Sequence, residues 1–203
     1  MRALSKAQVE DLLDATKDDR FAALYIAAVT TGLRQGELLG LQWEDVDLRS
    51  SRIAVRHTLQ NDRGKLTLEN TKNSKGRRIE IPQITLTALK AHRERLLAQG
   101  LRSSLWVFPD TKGGPMRKDN LLRRFKAVLK SAGLPAIRFH DLRHTAATLM
   151  LLQGVHPKVV QEMLGHSSIA LTLDTYSHVV PSMQREAADK IDALFAPLPV
   201  QGL

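Results

Sequence analysis

A chain of 203 residues with 43% hydrophobic content has room for one or two compact units around a buried core. It has no cysteine and no apolar run near the roughly 20 residues of a bilayer-spanning helix, and its polar opening, MRALSKAQVEDLL, does not read as a secretory leader. Disulfides, thiolate metal sites and a membrane span are excluded, and a cytoplasmic protein is expected. The formal net charge of +9 suits a polyanion, and aromatic residues at only 4% argue against stacked single-stranded bases, so duplex backbone fits better.

Ser5 and Gln8 have capping-box spacing ahead of Val9, Leu12 and Leu13, which predicts a helix from about Lys6 to Lys17. Phe21 to Thr31 is apolar on most faces and reads as a buried helix stopped by Gly32. Arg34 to Leu41 restarts as a short helix. Arg52 to Leu59, Lys65 to Leu68 and Arg77 to Ile81 alternate between turn-rich stretches and predict a three-stranded antiparallel meander. Helical period returns from Ile84 to Ala98, with Leu86, Leu89, His92, Leu96 and Leu97 on one side. Trp106 to Asp110 is a short extended piece.

The remainder is predicted helical: Asp119 to Ala132, Asp141 to Gln153, a helix opened by Pro157 and closed by Gly165, a short one from Ser168 to Asp174, and a last one from Ser182 to Phe195. The Pro-rich tail 196–203 is expected to be loose. No repeat or linker divides the chain, so the expected fold class is α+β: a mainly helical single domain over 1–203 with one small three-stranded antiparallel sheet. Within it, 1–180 would form the core and 181–195 a C-terminal helix.

Polar residues concentrate in the last third. His140-Asp141-Leu142-Arg143-His144 opens a helix that is otherwise apolar. His140 and Arg143 are three residues apart, on one face near its N-terminus, where backbone N–H groups favour an anion. Leu164-Gly165-His166-Ser167-Ser168 and Asp174-Thr175-Tyr176-Ser177-His178 follow. Of the two tyrosines, Tyr25 lies in the most apolar helix and reads as core, whereas Tyr176 lies among polar residues.

Four segments, TTGLRQGELLGLQWEDVDL, TKNSKGRRIEIP, HDLRHTAATLML and LGHSSIALTLDTYSHV, resemble in order the signature boxes of the tyrosine recombinase (lambda-integrase, phage integrase) family. The resemblance covers nearly the whole chain and implies the family's catalytic fold. It implies Arg34, Lys72, His140, Arg143, His166 and Tyr176 as catalytic residues, with Glu37 at a commonly acidic position. Lys75, Arg77 and Arg78 are close neighbours of Lys72, any of them open to the reading of a solvated hairpin charge, and Lys75 is the nearest competitor of Lys72. The helical N-terminal domain of full-length members is not in this sequence.

The implied activity is site-specific recombination for a phage or mobile element. Tyr176 would attack phosphorus, giving a 3′-phosphotyrosine and a free 5′-hydroxyl. Arg34 and Arg143 can each bind two oxygens of the charged transition state. His140 is the candidate general base, Lys72 the candidate general acid and His166 a further donor. No cofactor and no metal is expected. Expected partners are double-stranded DNA and further copies of the chain, four on DNA and one without it, with the C-terminal helix docking in trans. Three other readings compete: type IB topoisomerase-like relaxation, a non-catalytic helix-turn-helix module around Val159 to Leu173, and a zinc hydrolase built on His140 and His144, which lacks a third ligand at metal-site spacing.

Overall fold

The computed structural model describes residues 3–62, 64–70, 76–170, 172 and 180–195. The capping box forms: Ser5 Oγ accepts from the Gln8 amide at 3.2 Å, Gln8 Oε1 accepts from the Ser5 amide at 3.0 Å, and helix α1 runs over Lys6–Ala15. Helix α2 (Ala22–Thr31) is the centre of the core. Its sequence offers water no polar face, and Leu24, Tyr25 and Ala27 are fully buried. It stops at Gly32, whose φ of 64° is the left-handed conformation that residues with a Cβ resist.

Around α2 pack α4 (Gln83–Ala98) and α6 (Asp141–Leu152). Helix α5 (Lys118–Ser131) turns Leu121, Phe125, Val128 and Leu129 inward. Phe125 meets Tyr25 at a ring separation of 5.8 Å and Phe139 at 5.3 Å. Leu97, expected on the inner side of α4, is instead exposed, because the inner stripe is completed by Leu96 beside it. Helix α7 (Pro157–Leu164) opens on Pro157 and ends at Gly165 with φ 67°. Ala147, Leu151, Val160 and Leu164 form a second small apolar cluster that joins α6 to α7.

The short helix α3 (Gln35–Leu39) and a 3₁₀ turn (Trp43–Asp45) lead into the strands. A three-stranded antiparallel sheet is present, but its composition differs from the expected meander. Strands β1 (Val46–Asp47), β2 (Arg52–Val55) and β5 (Arg77–Glu80) pair in the order β1-β2-β5, while β3 (His57–Asp62) and β4 (Lys65–Asn70) form a separate hairpin. The segment predicted as one strand changes partner at Arg56: Val55 faces Arg77, but His57 faces Asn70. The buried Asp45 carboxylate gives the reason. Arg56 Nη1 lies 3.2 Å from it and His57 Nδ1 3.8 Å. Consecutive side chains of a straight strand point to opposite faces, so two neighbours can reach one carboxylate only if the strand breaks.

The last described helix, α8, spans Val180–Phe195. Of the short helix expected from Ser168, residues 169, 170 and 172 are helical; its remainder and the tail 196–203 lie outside the described residues. Among the described residues no helix is long and apolar enough to cross a membrane.

Tyr25 supplies a stability test. Its ring is fully buried, its hydroxyl has no hydrogen-bond partner among the described residues, and burial pushes its pKa up. Tyr25→Phe removes an unsatisfied polar group without changing the packing, so it should leave stability unchanged or raise it by about 1 kcal/mol. Tyr25→Ala should cost about 3–5 kcal/mol. Chemical denaturation of the two variants checks this ordering.

Candidate functional site

Glu37 organises the first part of the site. It stands three residues into the turn that Arg34 begins, where a glutamate can reach back to the helix start. Its carboxylate accepts the Arg34 backbone N–H at 2.9 Å and Arg34 Nη1 at 2.9 Å. Arg77, from the first position of β5, donates Nη1 at 2.9 Å and Nη2 at 2.7 Å to the same two oxygens. The Glu37 side chain is only 3% exposed. Burial alone would raise its pKa, but the two guanidiniums and the backbone donor outweigh that and hold it below the usual carboxylate range.

Both arginines then reach the end of α7. Arg77 Nε donates to the Met163 carbonyl at 2.9 Å, and Arg34 Nη2 donates to the Gly165 carbonyl at 3.1 Å. Carbonyls at a helix C-terminus lack intrahelical partners and carry partial negative charge, so cationic donors suit them. The left-handed Gly165 lets the chain turn out of α7 straight into His166. His166 Nδ1 shares a hydrogen bond of 2.9 Å with Thr172 Oγ1, and its own carbonyl accepts from Gln161 Nε2 at 2.5 Å.

The N-terminus of α6 supplies the second part. Asp141 accepts from the Arg138 backbone at 2.9 Å and pairs with its guanidinium at 2.8 Å, which fixes the first turn. His140 stands just before that turn with its side chain making no capping bond, and its ring meets His144 edge to face at 5.1 Å. Arg143 is buried at 4% exposure and donates Nη1 to the Gly32 carbonyl at 2.7 Å. The end of α2 and the start of α6 are thereby joined beside Arg34.

These cations shape the histidines. His140 is held below its ordinary pKa by burial, then by Arg143 and Arg138, with a smaller contribution from Arg34. His144 is lowered by burial and by His140. His166 is pushed down to about 4 by burial, then by Arg143, Arg34, His144 and Arg77. All three are therefore neutral near pH 7, while four guanidiniums (Arg34, Arg77, Arg138 and Arg143) against two carboxylates (Glu37 and Asp141) leave the site cationic. Such a site can bind a singly charged phosphodiester and accept a proton without changing its own charge balance first.

Of the residues singled out from the sequence, Arg34, His140, Arg143 and His166 converge in this one place. Lys72, its competitor Lys75, Tyr176 and His178 lie outside the described residues. Of the charges beside Lys72, Arg77 is not a solvated one: its side chain is 17% exposed and clamps Glu37. A signal was available. In β5 the inward face carries Ile79, so residue 77, two positions away, shares that face. Arg77 also lines an open cavity of about 380 Å³ together with Arg56, His57 and Arg78. Of the other histidines, His92 is buried and bonded to the Val107 carbonyl at 2.7 Å, and His156 caps α7 by accepting from the Lys158 amide at 3.1 Å.

Comparison with known proteins places this arrangement. Residues 2–183 match the Phage integrase family. The XerC-like tyrosine recombinase of Caldanaerobacter subterraneus subsp. tengcongensis is 36% identical, with 96% of this chain and 55% of that protein aligned. The ICEBs1 integrase of Bacillus subtilis is 38% identical, with 86% of this chain and 49% of that protein aligned. This chain thus spans about half the length of the curated relatives it matches. Among solved structures, XerA recombinase superposes with a TM-score of 0.76 at 28% identity, covering 98% of this chain and 66% of that one. The Tn1549 transposon integrase in complex with transposon right-end DNA superposes with a TM-score of 0.77 at 25% identity, covering 92% and 66%.

The electrostatics give a pH test. A His166 pKa of about 4 in the folded protein lies below the ~6.5 of an unfolded chain. Below pH ~6.5 the unfolded state therefore binds more protons, so stability is complete above that pH and falls as pH drops toward 4. An NMR titration of the His166 ring should show a midpoint near 4, and a midpoint above 6 would contradict the cationic environment described. A bound phosphate-like anion should move the midpoint upward.

Proposed function

The chain belongs to the phage integrase family, and from that membership we propose that it is the catalytic domain of a site-specific recombinase that cuts and rejoins duplex DNA through Tyr176. The observation that carries the reading is the convergence of Arg34, Arg143, His140 and His166 from the starts of α3 and α6 and the end of α7. A cationic pocket holding neutral histidines suits phosphoryl transfer. Its arginines meet the charge that develops on the phosphorus oxygens, a task that metal ions perform in many nucleases.

In the proposed reaction the Tyr176 oxygen attacks phosphorus and the 5′-oxygen of the next nucleotide leaves. The tyrosine proton passes to His140, which its surroundings keep neutral and able to accept it. Lys72 delivers a proton to the leaving oxygen. Arg34 and Arg143 hold the non-bridging oxygens in bidentate fashion, and His166 donates a further hydrogen bond. One phosphate ester replaces another, so the bond energy is retained and the 5′-hydroxyl of a second strand can reverse the step. The product of that reversal on a new partner is a recombined strand.

The proposed partners are double-stranded DNA and other copies of the chain. Ile191, Leu194 and Phe195 on α8 are 56%, 71% and 77% exposed, an apolar group that favours being covered. Docking of this helix on a neighbouring copy would cover it and link the copies on DNA.

Two experiments test these statements. The chain, incubated in EDTA with nicked, end-labelled fragments of the source genome, should form a denaturant-resistant adduct that maps to Tyr176. Tyr176→Phe should abolish the adduct while sparing DNA binding, and Arg143→Ala should slow its formation by about 10²–10³-fold. Binding without any adduct would favour a non-catalytic module, and relaxation without strand exchange a topoisomerase. Truncation after His178 should abolish multimer formation on DNA, measured by gel shift, and unchanged multimers would refute the docking role of α8.

A further inference from the structure

Arg77 is held by more bonds than a charge on a hairpin needs. Its three kinds of N–H are all engaged: Nε on the Met163 carbonyl, Nη1 and Nη2 on the two oxygens of Glu37. The Glu37–Arg77 pair is 3% and 17% exposed, unlike the solvated pairs elsewhere on this chain. The surroundings are fitted to it as well. A Cβ added at Gly165 would lie 3.0 Å from Arg77 Nη1 and 3.1 Å from its Cζ, so the turn that presents His166 leaves room for this guanidinium. Arg34 closes the circuit by binding the same carboxylate and the Gly165 carbonyl. The resulting ring runs Arg34, Glu37, Arg77, Met163, Gly165 and back to Arg34, and it ties the start of α3, the start of β5 and the end of α7 together.

We propose that Arg77 is a positioning residue for strand cleavage, which fixes Arg34 and His166 relative to one another by clamping Glu37 and the end of α7 at once. The proposal rests on the recombinase reading above. Its chemical content is that shape matters as well as charge. A lysine carries the same charge but is a single point donor and cannot span Met163 and both Glu37 oxygens. Without Arg77, the Glu37 carboxylate keeps only Arg34 as a cationic partner among the described residues, and the Met163 carbonyl loses the Arg77 Nε donor. The two catalytic groups then share no rigid connection through β5.

The test compares Arg77→Gln, Arg77→Lys and the double change Arg77→Gln with Glu37→Gln. The double change removes both charges together and so avoids an uncompensated buried carboxylate, should Arg77→Gln alone fail to fold. The substrate is the nicked duplex that the wild type traps. Arg77→Gln and Arg77→Lys should both slow adduct formation about 10–100-fold, the range seen when outer-shell partners are removed at metal sites. Duplex affinity and its salt dependence should stay as in the wild type. In the DNA-free protein, the Gly165 and His166 amides, bonded to the Gln161 carbonyl, should exchange faster with solvent in both single variants. The double change should also lack wild-type cleavage.

Full cleavage by Arg77→Lys would overturn the proposal, because charge alone would then suffice. So would weaker binding with a salt slope reduced by about 1, which would mark Arg77 as a phosphate contact. Unchanged amide exchange in the single variants would overturn it too. A wild type that forms no adduct on any fragment is a separate result: it sinks the recombinase reading, and the cleavage role of Arg77 with it.

Discussion

A carboxylate withdrawn from water is tolerable only if its charge and lone pairs are met where it lies. Glu37 satisfies that condition with four donors, and the position of each donor is thereby constrained. Arg34 is held on the helix it begins. Arg77 is held on a strand forty residues away in sequence, and through Arg77 and Arg34 the end of α7 is held too. Arg34 and the loop that carries His166 thus depend on one buried acid. Had Glu37 been solvated, these cations would repel one another across a site that needs them adjacent.

The other half of the site depends on helix ends rather than on an acid. Gly32 terminates α2 in the left-handed conformation and leaves its carbonyl for Arg143. Arg143 rises from the first turn of α6, which Asp141 and Arg138 stabilise. A buried guanidinium finds a partner on the backbone of the most deeply packed helix, so its place is set by the core itself. Packing, through α2 against α6, thereby sets the position of Arg143 without an intermediate loop. The lowered pKa values of His140 and His166 follow from burial first and then from the same crowding of cations.

Much of this was legible in the sequence because it is local. The Ser5–Gln8 cap, the Gly32 and Gly165 stops, Pro157 at a helix start and the apolar character of α2 each need only a few neighbouring residues. The order of four motif boxes added the family and four of the residues that converge. What escaped was long-range. The partner change at Arg56 depends on Asp45, eleven residues earlier and in another element. Arg77 looks like its neighbour Arg78 in any window, and only the sheet face and the distant Glu37 separate a clamp from a solvated charge. Residue type shows what a side chain can do, whereas burial and distant partners decide what it does.

The corner at Arg56 also passes the chain from the sheet into a hairpin whose base is anchored in the core through Leu59. Among the described residues the β3–β4 hairpin shares no ladder with the β1-β2-β5 sheet, although the chain passes through both. Its length is therefore not fixed by the register of the core strands. Lengthening such a projection costs little, about 0.6 kcal/mol for each doubling of a flexible loop. The turn of the hairpin can then be lengthened at little cost, while its base, where Thr58 and Leu59 lie against Gly36 and Gly40, stays fitted to the elements that carry Glu37. Reach at one end of the hairpin and fit at the other are thus separable properties of one element.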